Sequence, residues 1–221
     1  MKKKIDRKIE RNRKIEKFLA EKQPETPCLV VDLDVVTEAY QLLRTYMPIA
    51  KVYYAVKANP AGEVVDLLRG LGSAFDVASR GEVDLCLGLG VTADRISFGN
   101  TIKKERDIAY AYDKGVRLFA FDSEGELEKL ARTAPGARVF CRILVDGEGA
   151  EWPLSRKFGC APEMAVELLR RAKAAGLDPY GVSFHVGSQQ TDLGQWDNAV
   201  GRAATMFSLL AETDINLRMV N

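Results

Sequence analysis

The sequence predicts an α/β fold, a (β/α)8 TIM-type barrel, and three observations carry that reading. From Cys28 onward, short β-branched or aromatic runs alternate with amphipathic stretches of helical length, the pattern of repeated βα units on a parallel sheet. Five of the apolar runs are closed by a polar residue, namely Lys57, Asp76, Asn100, Asp122 and His185. A barrel collects its reactive side chains on the rim where its strands end, so this placement favours a barrel over a doubly wound open sheet. The composition, 47% hydrophobic and 29% charged over 221 residues, is that of a globular chain with a sizeable core.

The elements follow in order. Residues 1–22 carry ten Lys/Arg against four acids, a net +6, and the remainder is −5. Ile5, Ile9, Ile15, Phe18 and Leu19 make only a broken apolar stripe, so residues 1–24 are expected to be a basic extension forming a solvated, partly frayed helix. Pro24 and Pro27 punctuate the chain before a barrel domain over residues 25–221. Strands are expected at 29–32, 51–56, 74–77, 95–98, 117–121, 138–145, 180–185 and 217–221. Helices are expected at 35–46, 61–71, 80–89, 104–114, 124–133, 162–175 and 195–212. No helix pattern follows the last strand, and the length falls below the roughly 250 residues of a complete barrel. The chain therefore reads as a barrel truncated before its last strands.

Several classes of function are disfavoured. A net charge of +1 gives no global field for nucleic acid or an anionic membrane. Cys28, Cys86, Cys141 and Cys160 form no Cys-x-x-Cys pair and there is one histidine, so no metal site is expected and the thiols read as reduced. No apolar run approaches the ~20 residues of a membrane span, and Met1-Lys2-Lys3-Lys4 leads into charge rather than an apolar leader. The expected location is the cytoplasm.

Lys57 closes an apolar strand, where desolvation favours a neutral amine able to attack an aldehyde; a snorkelling rim lysine is the bland alternative. His185 must supply any imidazole function, and Gly187-Ser188 beside it offers a backbone turn and a hydroxyl suited to an anion such as phosphate. A hydrogen-bonded core histidine explains the same spacing. A Ser-His-Asp hydrolase is disfavoured, because no Gly-x-Ser-x-Gly elbow exists and Ser183 and His185 merely share one strand face. Gly88-Leu89-Gly90-Val91-Thr92-Ala93 matches a dinucleotide fingerprint in form, but it ends a helix instead of opening one, so Gly88 and Gly90 read as C-cap glycines. Asp76 and Glu82 are either two rim carboxylates or, for Glu82, a first-turn acid favoured by the helix dipole.

Four motifs in order carry a resemblance. They are residues 54–60 (Tyr-Ala-Val-Lys-Ala-Asn-Pro), 75–82 (Phe-Asp-Val-Ala-Ser-Arg-Gly-Glu), 97–104 (Ser-Phe-Gly-Asn-Thr-Ile-Lys-Lys) and 183–188 (Ser-Phe-His-Val-Gly-Ser). Together they resemble the ornithine/diaminopimelate/arginine decarboxylases, pyridoxal-phosphate enzymes with an alanine-racemase-like barrel. The segment from Gly147 through Trp152 to Gly159 resembles the bacterial ornithine decarboxylases of the eukaryotic type, which points to ornithine as substrate, with putrescine and carbon dioxide as products.

The resemblance implies that Lys57 holds pyridoxal phosphate as an imine, that His185 stacks on the ring and that Ser188 binds the phosphate. Asp76, Glu82 and Arg142 would line the cofactor pocket. It also implies a glycine-rich phosphate loop, further acidic and arginine groups, and a C-terminal β-domain that completes the site across a homodimer interface. None of these follows residue 221, so the chain is expected to be an N-terminal fragment, inactive alone. The alternatives are a decarboxylase of diaminopimelate or another basic amino acid, or a non-catalytic pyridoxal-phosphate-binding or regulatory homologue.

Overall fold

The computed structural model describes residues 2–145 and 157–221, with side chains from Glu10 onward. The chain opens with α1 (Lys2–Lys22) and α2 (Leu33–Tyr46), and then alternates β1 (Tyr53–Ala55), α3 (Gly62–Gly70), β2 (Ala74–Val77), α4 (Arg80–Gly88), β3 (Ile96–Phe98) and α5 (Glu105–Asp113). It continues with β4 (Leu118–Phe121), α6 (Glu124–Thr133), β5 (Arg138–Arg142), α7 (Pro162–Ala174), β6 (Asp178–Ser183), α8 (Gly194–Ala211) and β7 (Met219–Val220). The seven strands form one sheet in the order β1 to β7, every neighbouring pair parallel. Sequential order is barrel topology. A doubly wound sheet reverses direction at a switch point, which this sheet lacks.

The strands are short because each is fixed by its neighbours and covered by helices. On β4 all four residues are buried, with Phe119 and Phe121 in the helix-facing core and Leu118 and Ala120 in a smaller cluster with Phe140. The smaller cluster, flanked by Tyr53, Tyr180 and Met219, fills the concave side. Local signals set the helix starts. In α4, Ser79 Oγ accepts the Glu82 N–H at 3.3 Å while Glu82 Oε2 accepts the Ala78 N–H at 2.8 Å, a reciprocal capping box. Pro162 opens α7, where its missing N–H costs nothing.

Several sequence expectations are corrected. Residues 29–32 form no strand: Leu29 is 84% exposed, and Asp32 is committed to capping α2, its Oδ1 accepting the Asp34 N–H at 3.0 Å. An apolar run becomes a strand only beside a partner edge. The strand expected over 138–145 stops at Arg142: Ile143 N–H still donates to Ser183 O at 2.8 Å, but Ile143 also bridges Cys160 and the next amide, Leu144 N–H, turns to Cys160 O at 2.9 Å. In the basic head, whose described residues are nearly all exposed, Arg11 pairs with Glu38 and Lys14 with Asp32 and Asp34, surface ion pairs that join α1 to the start of α2. Gly88 is the last residue of α4, and Gly90, at φ +82°, alone takes the left-handed position beyond its end; Val91 N–H reaches back to Cys86 O at 3.0 Å.

Gly181 in β6 lies opposite Met219 in β7. A Cβ there would come within 2.9 Å of the Met219 carbonyl carbon and nearer still to its oxygen. The absence of a side chain is what lets the last strand close in. Beyond it, Asn221 N–H donates to Val182 O and Phe184 N–H donates to Asn221 O, both at 3.0 Å, so the strand end anchors the segment that leads to His185.

Candidate active site

Four strand ends place Lys57 and Arg142 within electrostatic reach of both Asp76 and His185. Lys57 stands in a short 3-10 turn, Val56–Ala58, directly after β1. Val56 is fully buried and anchors that turn, and Tyr54 donates its hydroxyl to Asn59 O at 3.2 Å across it. Lys57 itself is exposed. The burial expected from the sequence is therefore absent, and its amine is open to a ligand.

Asp76 sits third in β2, in register with Ser97 of β3, whose hydroxyl faces it. The next turn presses on the same carboxylate, for a Cβ added at Gly99 would overlap both Asp76 oxygens. Burial pushes the Asp76 carboxyl up to about 6; Glu82 adds to the rise, while Ser97, Lys57 and Arg142 oppose it. Arg142, half-buried at the end of β5, has its pKa lowered by burial, against which Asp122 and Asp76 hold the charge. Its guanidinium lies 5.5 Å from the Phe158 ring centroid.

His185 follows β6 by two residues and is exposed, not a core histidine. Its Nδ1 accepts the Gly187 N–H at 2.9 Å. Burial of the ring, Arg142 and Lys57 all lower its pKa. Both features favour the neutral ring with its proton on Nε2. Nitrogen NMR is expected to show that tautomer at pH 7, with titration below the ordinary 6.5; a doubly protonated ring at pH 7 would refute the geometry.

Other expected residues distribute differently. Glu82 satisfies both readings, since it caps α4 and also acts on Asp76. Ser188 lies half-buried in the loop beyond His185. Asp122 accepts the Gly159 N–H at 2.8 Å and supports Arg142, so it braces the rim. Asn100 Nδ2 donates to Ile102 O at 2.6 Å, which spends its side chain on its own turn. Residues 147–156, including Trp152, lie outside the described residues, so the ornithine signature there has no structural counterpart.

Two features went unread. The thiols of Cys141 and Cys160, both buried, lie 3.6 Å apart. Burial raises Cys141 well above the ordinary thiol range, and the Cys141 thiol bonded to Cys160 holds that one lower. The second is a fully buried Lys103 side chain paired to Glu126 at 2.9 Å. A burial signal in the sequence existed for neither, because the spacing of 19 or 23 residues follows no helix or strand period. Among the described residues no cluster of three metal-ligating side chains occurs, and no helix is long and apolar enough to cross a membrane.

The profile described as "Pyridoxal-dependent decarboxylase, pyridoxal binding domain" matches residues 33–221. The lysine/ornithine decarboxylase of Selenomonas ruminantium is 43% identical over 201 residues, covering 91% of this chain and 51% of that protein. The ornithine decarboxylase of Caenorhabditis elegans is 38% identical over 179 residues, 80% of this chain and 42% of that protein. The crystal structure of lysine decarboxylase from Selenomonas ruminantium aligns with a TM-score of 0.86 at 41% identity, over 92% of this chain and 53% of that one. The chain thus spans about half the length of these relatives.

Proposed function

Because the chain belongs to the pyridoxal-dependent decarboxylases through their pyridoxal-binding domain, we propose that it forms the cofactor-holding barrel of an enzyme that decarboxylates a basic amino acid, ornithine in the reading of its sequence. The observation that carries this is the convergence of Lys57, Asp76, Arg142 and His185 on one strand-end rim. The donor set fits pyridoxal phosphate. An exposed primary amine suits an aldehyde, an exposed neutral imidazole offers a flat ring face, Arg142 supplies positive charge near His185, and the Gly187-Ser188 turn that follows offers a backbone N–H and a hydroxyl for an anion.

When bound, the cofactor delocalises the electron pair left by departing carbon dioxide. The chain's own residues hold and orient. Lys57 would hold the aldehyde group, and His185, its ring fixed by the Gly187 N–H, would pack on the cofactor ring. Ser188 would bind the phosphate. Asp76 and Glu82 balance the cationic side of the rim and Arg142 the anionic ligand. The relatives' names span lysine and ornithine, so lysine is the second substrate reading. A cytoplasmic homodimer making putrescine completes the proposal for the whole protein, on the resemblance alone.

The test is to load the purified chain with pyridoxal phosphate, reduce with borohydride and map the labelled peptide. Label on Lys57, lost in Lys57→Ala, is the expected result. A folded chain labelled evenly over its surface lysines would overturn the assignment. Adding ornithine or lysine before reduction reads the preferred amine, with ornithine expected to displace the label at the lower concentration.

A further inference from the structure

Lys103 is a costly residue to bury, since its side chain has no exposure and sits behind β3 and β4. An ammonium carries three N–H donors. Here two donate to backbone carbonyls, Asn100 O at 2.9 Å in the turn after β3 and Ala120 O in β4, and the ammonium is ion-paired to Glu126 Oε1 in α6 at 2.9 Å. Glu126 is held a second time by Lys129 and accepts the Lys103 backbone N–H at 3.4 Å. Replacing such a buried pair as a whole by hydrophobic side chains of similar volume is often neutral or stabilising. What they could not do is bond two backbone carbonyls at once.

One of those carbonyls adjoins the site. Asn100 O belongs to the residue after Gly99, and Gly99 is the position packed so closely on Asp76 that no Cβ fits. We propose that Lys103 is a positioning residue: by tying the turn after β3 to β4 and α6, its ammonium keeps Gly99 pressed against the Asp76 carboxylate and water away from it. The proposal's importance for catalysis rests on Asp76 being part of the cofactor rim; its structural content does not. The groups that face Asp76 are Lys57 after β1, Ser97 on β3, Glu82 on α4 and Arg142 on β5. None of them touches Lys103 by hydrogen bond or ion pair, so an effect of Lys103 on Asp76 has to pass through the turn.

The decisive variant is Lys103→Met, which keeps the stem and deletes the donors while Lys129 remains as a partner for Glu126. Leu130→Ala, at a fully buried position on α6, is the control for plain destabilisation. Carboxyl-carbon NMR of the cofactor-free chain follows the Asp76 midpoint, and hydrogen exchange follows the amides of residues 99–102. In Lys103→Met the midpoint is expected to fall from about 6 by one pH unit or more toward 3.8, as water enters. The amides of 99–102 should exchange at least tenfold faster. Leu130→Ala should lower the melting temperature and leave both unchanged.

An unmoved midpoint in Lys103→Met, or an equal shift in Leu130→Ala, overturns the proposal. If Lys103→Met does not fold, Lys103→Gln replaces it, since it keeps two donors on a shorter stem; a midpoint there still at about 6 with the 99–102 amides unprotected is equally fatal. Lys57 labelling of Asp76→Asn separates the two claims. Unchanged labelling removes Asp76 from the cofactor site, whereas the midpoint alone judges Lys103.

Discussion

Replacing Gly181 with alanine is expected to lower the melting temperature by roughly 10 °C and to loosen the site from below. The added Cβ meets the backbone of Met219 rather than a movable side chain, so the overlap is relieved only by pushing β7 away from β6. Overpacking typically costs about 1–3 kcal/mol, and a rigid backbone neighbour places this case near the upper end. For a domain of this size about 3 kcal/mol corresponds to the stated shift. The local consequence is sharper. Moving β7 breaks the Phe184 N–H to Asn221 O bond, and Phe184 directly precedes His185. The amides of Phe184 and Asn221 should lose protection first, and His185 should lose its preference for the Nε2 tautomer. A shift under 2 °C with those amides still protected would show that β7 tolerates the extra carbon and does not govern the rim.

The distance between what was legible and what was not follows from where each signal resides. Helix 124–133 was read to the residue, and most others within one or two, because their ends carry local chemistry such as the Ser79/Glu82 capping box and Pro162 at the start of α7. The rim was legible for a related reason. Residues that close apolar strands in a parallel sheet must come out on one side, so Lys57, Asp76 and His185 could be brought together from order alone, whereas Arg142 was reached only through the family resemblance. The run 29–32 misled because strand formation needs a partner, and apolar composition does not reveal one. Lys103 was invisible since its burial depends on where Ala120 and Glu126 arrive, 17 and 23 residues away. Gly99, within the 97–104 motif, gives no sign of its role in the sequence, for that role is an absence of volume beside Asp76.

Asp76 itself gives the pH prediction. In the unfolded chain its carboxyl titrates near 3.8, and in the fold burial pushes it up to about 6. Below 3.8 both states are protonated and the buried group is neutral, so its contribution to stability is complete. As pH rises through 6 the folded chain must hold an ionised carboxylate in a desolvated place that the unfolded chain does not, and that contribution is lost. Two pH units correspond to a ceiling of about 3 kcal/mol. Asp76→Asn keeps an oxygen for the Ser97 hydroxyl and cannot ionise. The cofactor-free variant is therefore expected to be more stable than the parent by about 2 kcal/mol at pH 7.5, with the difference vanishing below pH 4. The same variant should bind pyridoxal phosphate more weakly, since the rim loses the charge that balances Lys57 and Arg142. Paired melting curves from pH 3.5 to 8 decide it. A variant that is less stable at pH 7.5, or whose advantage persists at pH 3.5, would mean that Asp76 is held comfortably ionised, and the close packing of Gly99 would then have to be explained without it. If the curves cross as expected, the carboxylate is a charge the fold carries at a cost to its own stability, and such a cost is found where a ligand makes use of it.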